Sequence, residues 1–404
     1  MRKLTFYLCL ALIFTIPIEG VIPARGLGSL TRLLGFALIS AWFATLMITN
    51  RVRRANLAHG AIAAYVLWVG LSSIWSVNPN ATANRLETYA QLFLLYCIIW
   101  DLFLTKNESD LGLLAYICGT YVAALSTLRN FLTGAVYSSM SQTRYTSFQK
   151  IDPNSMGVLM ALSIPMAWWL IQESDIGRRR HWLRILLYAY IPVATFSILL
   201  TASRTALITT VIAFLFISTS VKRLGWGRGI LTVAFLIVAI WGVTRLVPAA
   251  SFSRLGQLDE SVEQGNLTGR VDIWREGIQV IYENPLLGVG SGAFPSVNPT
   301  GQAAHNLIIS VWTETGLIGL AIYLTIIFLA LWNAFHHKSR EALFWSTLLL
   351  IWFIGSFSLN WEYRKQTWLL FSLVISSAHR IKKTNPASKI IRRNQIVRLS
   401  PTPS

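Results

Sequence analysis

The chain has 404 residues, 54% of them hydrophobic and only 13% charged, with a mean hydropathy of +0.52. A water-soluble domain carries roughly a quarter charged residues, so the soluble globular classes are excluded. The formal charge of +18 would suggest nucleic acid in a soluble protein; here it is read as the basic excess of cytoplasmic loops between membrane spans, and no nucleic-acid partner is expected.

The apolar residues fall in continuous blocks of about 15–25, enough to cross a bilayer as helices. A β-barrel would need alternating segments of ~10 residues, which are absent. The predicted fold is all-α: a polytopic integral membrane protein with about 12 transmembrane helices. They lie near 4–18, 30–49, 57–75, 86–104, 111–132, 155–171, 184–201, 204–220, 229–247, 305–332, 342–359 and 366–379. The first follows Met1-Arg2-Lys3 like a signal peptide, but no small-x-small cleavage site comes after it, so it is expected to remain as a span. With a cytoplasmic N-terminus, about 22 of the 35 lysines and arginines fall inside: Arg2, Lys3 and Lys106, the clusters at 51–54, 178–184, 222–228 and 338–340, and the tail. That count places both termini in the cytoplasm of a bacterial inner-membrane protein. Cys9, Cys97 and Cys118 all fall within spans and form no CxxC, which disfavours disulfides and thiolate metal sites.

The organisation expected is a block of N-terminal spans over residues 1–150, a core over 151–335 with a large outside loop at 248–304, C-terminal spans over 336–380, and a basic tail over 381–404. The tail carries no apolar stripe and is read as disordered or bound to anionic lipid. A second outside segment runs from Thr133 to Asn154. In the large loop, Thr268 can cap a helix that begins at Gly269-Arg270 and is stopped by Asn284-Pro285. Val271, Trp274, Ile278 and Ile281 give this helix an apolar stripe.

Six places can carry chemistry. Arg204 sits in the tight outside turn Leu200-Thr201-Ala202-Ser203-Arg204, where an arginine either snorkels to headgroups or serves a function. Arg270 stands at a helix start, where the positive end of the dipole disfavours a cation unless an anion binds there. Arg275, with Asp272 and Glu276 beside it, reads mainly as a solvated helix face. His305 and Asn306 begin the tenth span; a helix N-terminus favours neutral imidazole, which can accept a proton, although a lone histidine is more often structural. Glu314 lies deeper on the same helix and needs a partner, whether an arginine, a hydroxyl or its own proton; a structural role is favoured. Asp152-Pro153-Asn154 before the sixth span reads first as capping chemistry.

Other features are weaker. Gly288-Val289-Gly290-Ser291-Gly292 resembles a dinucleotide loop only superficially, since no strand precedes it; it reads as a turn that lets backbone approach backbone. Glu108-Ser109-Asp110 and Glu173-Ser174-Asp175 mimic an acidic metal motif but fall on the cytoplasmic side and look like loop charge. No metal and no cofactor is expected.

The order Ser203-Arg204, Gly269-Arg270 to Trp274, Asn284-Pro285-Leu286-Leu287-Gly288, His305-Asn306 and Glu314-x-Gly316-x-x-Gly319 resembles the core of the O-antigen ligase/polymerase superfamily, specifically over about 190–330. Asp152-Pro153-Asn154 resembles a frequent upstream element. The resemblance implies a GT-C-like helical glycosyltransferase of lipopolysaccharide biosynthesis. Such an enzyme moves a glycan from undecaprenyl diphosphate to an acceptor hydroxyl on lipid A–core or another lipid-linked glycan, at the periplasmic face of the membrane. It implies that Arg204 and Arg270 bind the donor diphosphate and that His305 is the catalytic base, in a metal-independent, inverting reaction. Asp152, Asn154, Arg275, Asn306 and Glu314 are the supporting candidates. A ligase is preferred to a polymerase, the alternative; a protein oligosaccharyltransferase is disfavoured by the short tail. A bicarbonate-type transporter is the more distant alternative and would require paired broken helices or a chain of intramembrane acids and bases, for which Glu314 and Glu87 are the only hints.

Overall fold

The computed structural model describes residues 1–19, 23–24, 28–137, 144–149, 151–221, 270–380 and 396–398. The span predicted at 229–247, the Thr268-Gly269 cap and the larger part of the tail lie outside the described residues.

The described chain is a bundle of α-helices: α1 (Arg2–Thr15), α2 (Leu30–Thr49), α3 (Leu57–Leu71), α4 (Pro79–Leu102), α5 (Lys106–Leu132), α6 (Pro153–Glu173), α7 (Asp175–Arg179), α8 (His181–Leu200), α9 (Arg204–Val221), α10 (Arg270–Glu283), α11 (Leu307–Phe335), α12 (Ser339–Ser356) and α13 (Lys365–Ala378). Local signals set the starts. Ser29, Asn78, Asp152 and Asn306 accept backbone amides of the first turn from the N-cap, and proline follows at the first helical position of α4 and α6, where its missing N–H costs nothing. Thr105 and Glu108 form a reciprocal capping box at the head of α5. Thus Glu108 is a cap rather than loop charge. Asp110, equally, is buried and accepts from Trp169 Nε1 at 3.3 Å. Glu173 pairs with Arg340 and Arg178.

Six helices among the described residues have the length and apolarity to cross a membrane: Leu30–Thr49, Leu57–Ile74, Lys106–Leu132, Pro153–Glu173, His181–Leu200 and Leu307–Phe335. The protein is therefore an all-α, multi-pass membrane protein. Helix α6 is the axis of the bundle: 89% of its apolar window is buried, against α5, α8, α9 and α12. A helix apolar on every side is expected in such a position. Helix α2, only 22% buried, lies at the rim.

Lipid supplies no hydrophobic drive between helices, so close approach through small residues is needed. Gly157 of α6 provides one such contact: a Cβ there would fall 2.5 Å from that of Ala206. Gly316 provides another. Helix α11 is broken at this residue (φ 67°, ψ −174°), and a Cβ would meet the Leu286 carbonyl oxygen at 2.1 Å. The segment 285–290 fills the break. Val289 and Gly290 donate to the carbonyls of Thr313 and Glu314 (2.9 and 3.0 Å), and Leu317 donates to Pro285 (2.9 Å). Trp68 Nε1 donates to the Thr315 carbonyl at 2.8 Å. Backbone groups freed by the break are thereby satisfied, as a membrane interior demands. The expectation that the glycine-rich segment lets backbone meet backbone describes this contact.

Two expectations need correction. The loop helix α10 buries Ile273, Gly277 and Val280, whereas Ile278 is exposed and Val271 and Ile281 are only partly covered. The side of this helix that packs on protein is therefore Ile273, Gly277 and Val280, and sequence periodicity does not pick it out because a glycine stands at its centre. Its buried face joins Val289, Ala293, Phe294 and Ala304 in a small core separate from that of the bundle. In the tail, Ile396–Arg398 pairs as an antiparallel strand with Arg51–Arg53, so this piece is ordered by backbone pairing rather than disordered.

Candidate functional site

Four helix N-termini come together at the end of the bundle that also holds the loop core. The start of α6 abuts the α8–α9 turn through Gly157, which faces Thr201, Ser203 and Ala206. Arg144 fastens this corner from the preceding segment: its Nε donates to the Thr201 carbonyl and its Nη2 to Asn154 Oδ1, both at 2.8 Å. Arg204 is the half-buried first residue of α9, and Ser203 caps the same helix by accepting from Ala206 N at 3.3 Å. Helix α10 is pinned to the start of α11 where Trp274 Nε1 donates to the Ala304 carbonyl at 2.9 Å.

Asp152, Arg270 and His305 form the electrostatic centre. Asp152 caps α6 by accepting from Ser155 N at 2.8 Å, as read from the sequence, and it also acts on Arg270 and His305. His305 is made less basic than an ordinary histidine, first by burial and next by the Arg270 guanidinium, with Asp152 opposing. Burial lowers Arg270 likewise, again opposed by Asp152. The imidazole is therefore neutral near pH 7 and able to accept a proton. Its backbone is left-handed (φ 49°), a region a non-glycine residue seldom occupies. Asn306, directly after it, turns inward and accepts from Ile308 N and Ile309 N.

The remaining candidates separate. Arg275 is exposed and pairs with Asp272 at 3.1 Å, the solvated-face reading. Glu314 is buried and not beside His305. Its Oε2 accepts from Gly292 N at 2.7 Å, and Arg85 Nη2 lies 4.0 Å from its Oε1. Glu87 is exposed and paired with Arg32 at 3.1 Å.

Sequence reasoning missed Arg85, Arg144 and the connection 357–364. This connection runs as a strap across the same end of the bundle. Ser358 Oγ donates to Thr205 Oγ1 on α9 at 2.9 Å. Glu362, almost fully buried, accepts from Ser310 Oγ on α11 at 2.7 Å. The Tyr363 ring lies 3.5 Å from the Arg85 guanidinium carbon. Among the described residues, Glu362 Oε2 has no hydrogen-bond partner. Burial foremost, with the Glu314 charge adding to it, pushes the Glu362 carboxyl up to about 7 against the pull of Arg85. A polar Asn360-Trp361-Glu362-Tyr363-Arg364 between two apolar runs was the available signal. Among the described residues no three His, Cys, Asp or Glu side chains gather as metal ligands.

No curated protein matches the chain. Residues 189–324 match the family model described as O-antigen ligase, a stretch of roughly a third of the chain that carries Arg204, Arg270, His305 and Glu314. The match supports membership of this protein in the O-antigen ligase superfamily.

Proposed function

We propose that the protein transfers a glycan from undecaprenyl diphosphate to an acceptor hydroxyl at the periplasmic end of the bundle, with both termini in the cytoplasm, and that lipid A–core is the acceptor. The observation that carries the reading is the convergence of Asp152, Arg270 and His305 where helix N-termini meet. Helix N-termini and guanidinium groups both favour a phosphate anion. Arg270, with Arg204 at the head of α9, holds the diphosphate. The acceptor oxygen attacks the anomeric carbon as the bond from that carbon to the diphosphate oxygen breaks. The electron pair leaves with the diphosphate, and the acceptor proton passes to His305. A single displacement inverts the anomeric centre. The growing charge on the leaving oxygens strengthens its bonds to the arginines, so they act on the transition state more than on the bound donor. The diphosphate is a good leaving group without metal. Asp152 moderates the depression of His305 and, with Asn154 and Arg144, fixes the corner of the site.

The test is a deletion strain complemented with wild type, His305→Ala or Arg204→Ala, with surface polysaccharide and lipid-linked glycan both measured. Long lipid-linked polymer accumulating while surface polysaccharide disappears is the expected result for a ligase. Single repeats still reaching the surface would make the protein a polymerase. Unchanged glycans in every strain would overturn the transferase reading and leave transport of a small solute to be tested.

A further inference from the structure

A cavity lies at the same end of the bundle, away from the diphosphate candidates, between α1, α2, α4 and the start of α13. Its volume is about 430 Å³, within the range of ligand pockets. Its character changes with depth. The floor is apolar and buried, with Leu12, Leu38, Leu92, Leu95 and Ile98. The mouth is polar. Two ion pairs cross it, Arg32 with Glu87 and Lys365 with Glu19, and Asn84, Thr88 and Gln91 add neutral donors and acceptors. The rings of Phe36 and Tyr363 flank the opening.

Gly35 also lines the cavity, and a Cβ added there would meet nothing within 4 Å. A glycine inside a helix lowers its stability by roughly 0.5–1 kcal/mol relative to alanine, and here no close neighbour requires it. The space it leaves belongs to the cavity. Helix α2 packs along α1 and only sparsely on α4, while Phe36, Met47 and Ile48 remain exposed on its outer side. The cavity therefore sits at the rim of the bundle, beside the lipid, where an amphiphile can enter sideways.

From this gradient we infer that the cavity binds the sugar head and the first part of one hydrocarbon chain of a glycolipid, which is the acceptor of the transfer reaction. The acceptor role rests on the transferase reading above; the binding site does not. A hydroxyl-rich head matches a rim of paired charges and side-chain amides, which offers donors and acceptors with little net charge. The apolar floor takes one chain, and the remainder stays in the bilayer. The strap joins this site to the other: Tyr363, Arg364 and Lys365 form one wall of the cavity, Glu362 holds Ser310 on the helix headed by His305, and Ser358 holds Thr205 beside Arg204. Acceptor and donor would thus both meet the same segment, with the acceptor head reaching along it towards His305.

The experiment is photolabelling of the full-length protein in phospholipid nanodiscs with an alkyl maltoside carrying a diazirine in its chain, read by peptide mass spectrometry. Labelling is expected on residues 31–39 and 84–98 and is competed by excess unlabelled lipid A–core. Gly35→Trp, which fills the cavity, is expected to cut labelling about tenfold, and Thr88→Val, which removes one hydroxyl without changing size, severalfold. Met47→Trp, on the exposed side of the same helix, leaves labelling intact. In reconstituted transfer, Gly35→Trp raises the acceptor KM about tenfold without changing the donor KM. Equal labelling of these peptides by a diazirine phospholipid, with no competition from the glycolipid, would make this an ordinary lipid contact and overturn the proposal. So would labelling that survives Gly35→Trp. Labelling lost with acceptor KM unchanged overturns the acceptor role. Labelling is also read in His305→Ala protein, where the site is expected to persist, so a failure of the transferase reading leaves the binding result standing by itself.

Discussion

At the scale of single residues, the candidate site rests on a balance among three charges. Arg270 depresses His305, and Asp152 partly offsets it. The acid limb of the transfer rate against pH should therefore fall below the usual histidine range, with activity lost as pH drops through it, because the base must be neutral. Asp152→Asn keeps a capping side chain but removes the opposing charge. It should move that limb to still lower pH, read from the full pH–rate profile; a limb unchanged or moved upward would separate Asp152 from His305. If Arg270 holds the leaving diphosphate as proposed, Arg270→Ala should lower the rate by about 10²–10³-fold, measured as single turnover on bound donor. The positions of His305, Arg270 and Asp152 at helix starts were legible in the sequence, because capping and dipole arguments apply there. Arg85, Arg144 and Glu362 were not. Their partners Glu314, Asn154 and Ser310 lie on other elements, and no local pattern announces such pairs.

At the scale of elements, the break in α11 explains the glycine at 288, whereas Gly290 and Gly292 are packed against Ser76 and against Ala81 and Arg85. Gly288 and Gly316 face each other with positive φ, and a Cβ on either would collide with the other's backbone neighbours. Gly316→Ala should therefore destabilise the protein by more than about 2 kcal/mol, seen as a lower melting temperature in detergent. Gly60→Ala, where a Cβ meets nothing within 4 Å, should cause no fall. Equal effects of the two would contradict the described contact. The break was invisible in the sequence because Leu307–Phe335 is apolar enough on average to read as one span despite Glu314, and hydropathy records length and polarity but not interruption. The helix limits, in contrast, were legible to within a few residues along most of the described chain. The cap at Asp152, the helix start at His305-Asn306 and the stop at Asn284-Pro285 mark them locally, whereas the start of α4 at Pro79, capped by Asn78, lies about two turns before the span expected from 86. The same local signals could not choose the buried face of α10, which is set by Ile309 and Phe294 packed against Gly277.

At the scale of the whole molecule, the buried strap ties α4, α9, α11 and α13 together at one end. Glu362 makes this region sensitive to pH. Its carboxyl is raised to about 7 in the folded protein, above the ordinary glutamate value of about 4.3. The folded state then binds the proton more tightly than the unfolded state, so stability is greatest at low pH within this window and is lost as pH rises towards and through about 7. The melting temperature of the solubilised protein should fall over that interval, and Glu362→Gln should flatten the slope; a slope unchanged in the variant would remove Glu362 as its source. The multi-pass helical character followed from composition alone, because 13% charged residues cannot solvate a chain of this length. The arrangement of the cavity, the candidate site and the strap between them did not, since it depends on which helices neighbour one another.

The most direct test of the account is transfer by the purified protein in liposomes supplied with a polyprenyl-diphosphate-linked glycan and lipid A–core, in the presence of a metal chelator. The expected result is release of free polyprenyl diphosphate together with an inverted glycoside on the acceptor, lost by at least about 10²-fold in both Arg270→Ala and His305→Ala. Full activity in either variant, or no transfer by the wild-type protein, would contradict the assignment of Asp152, Arg270 and His305 as the reacting centre.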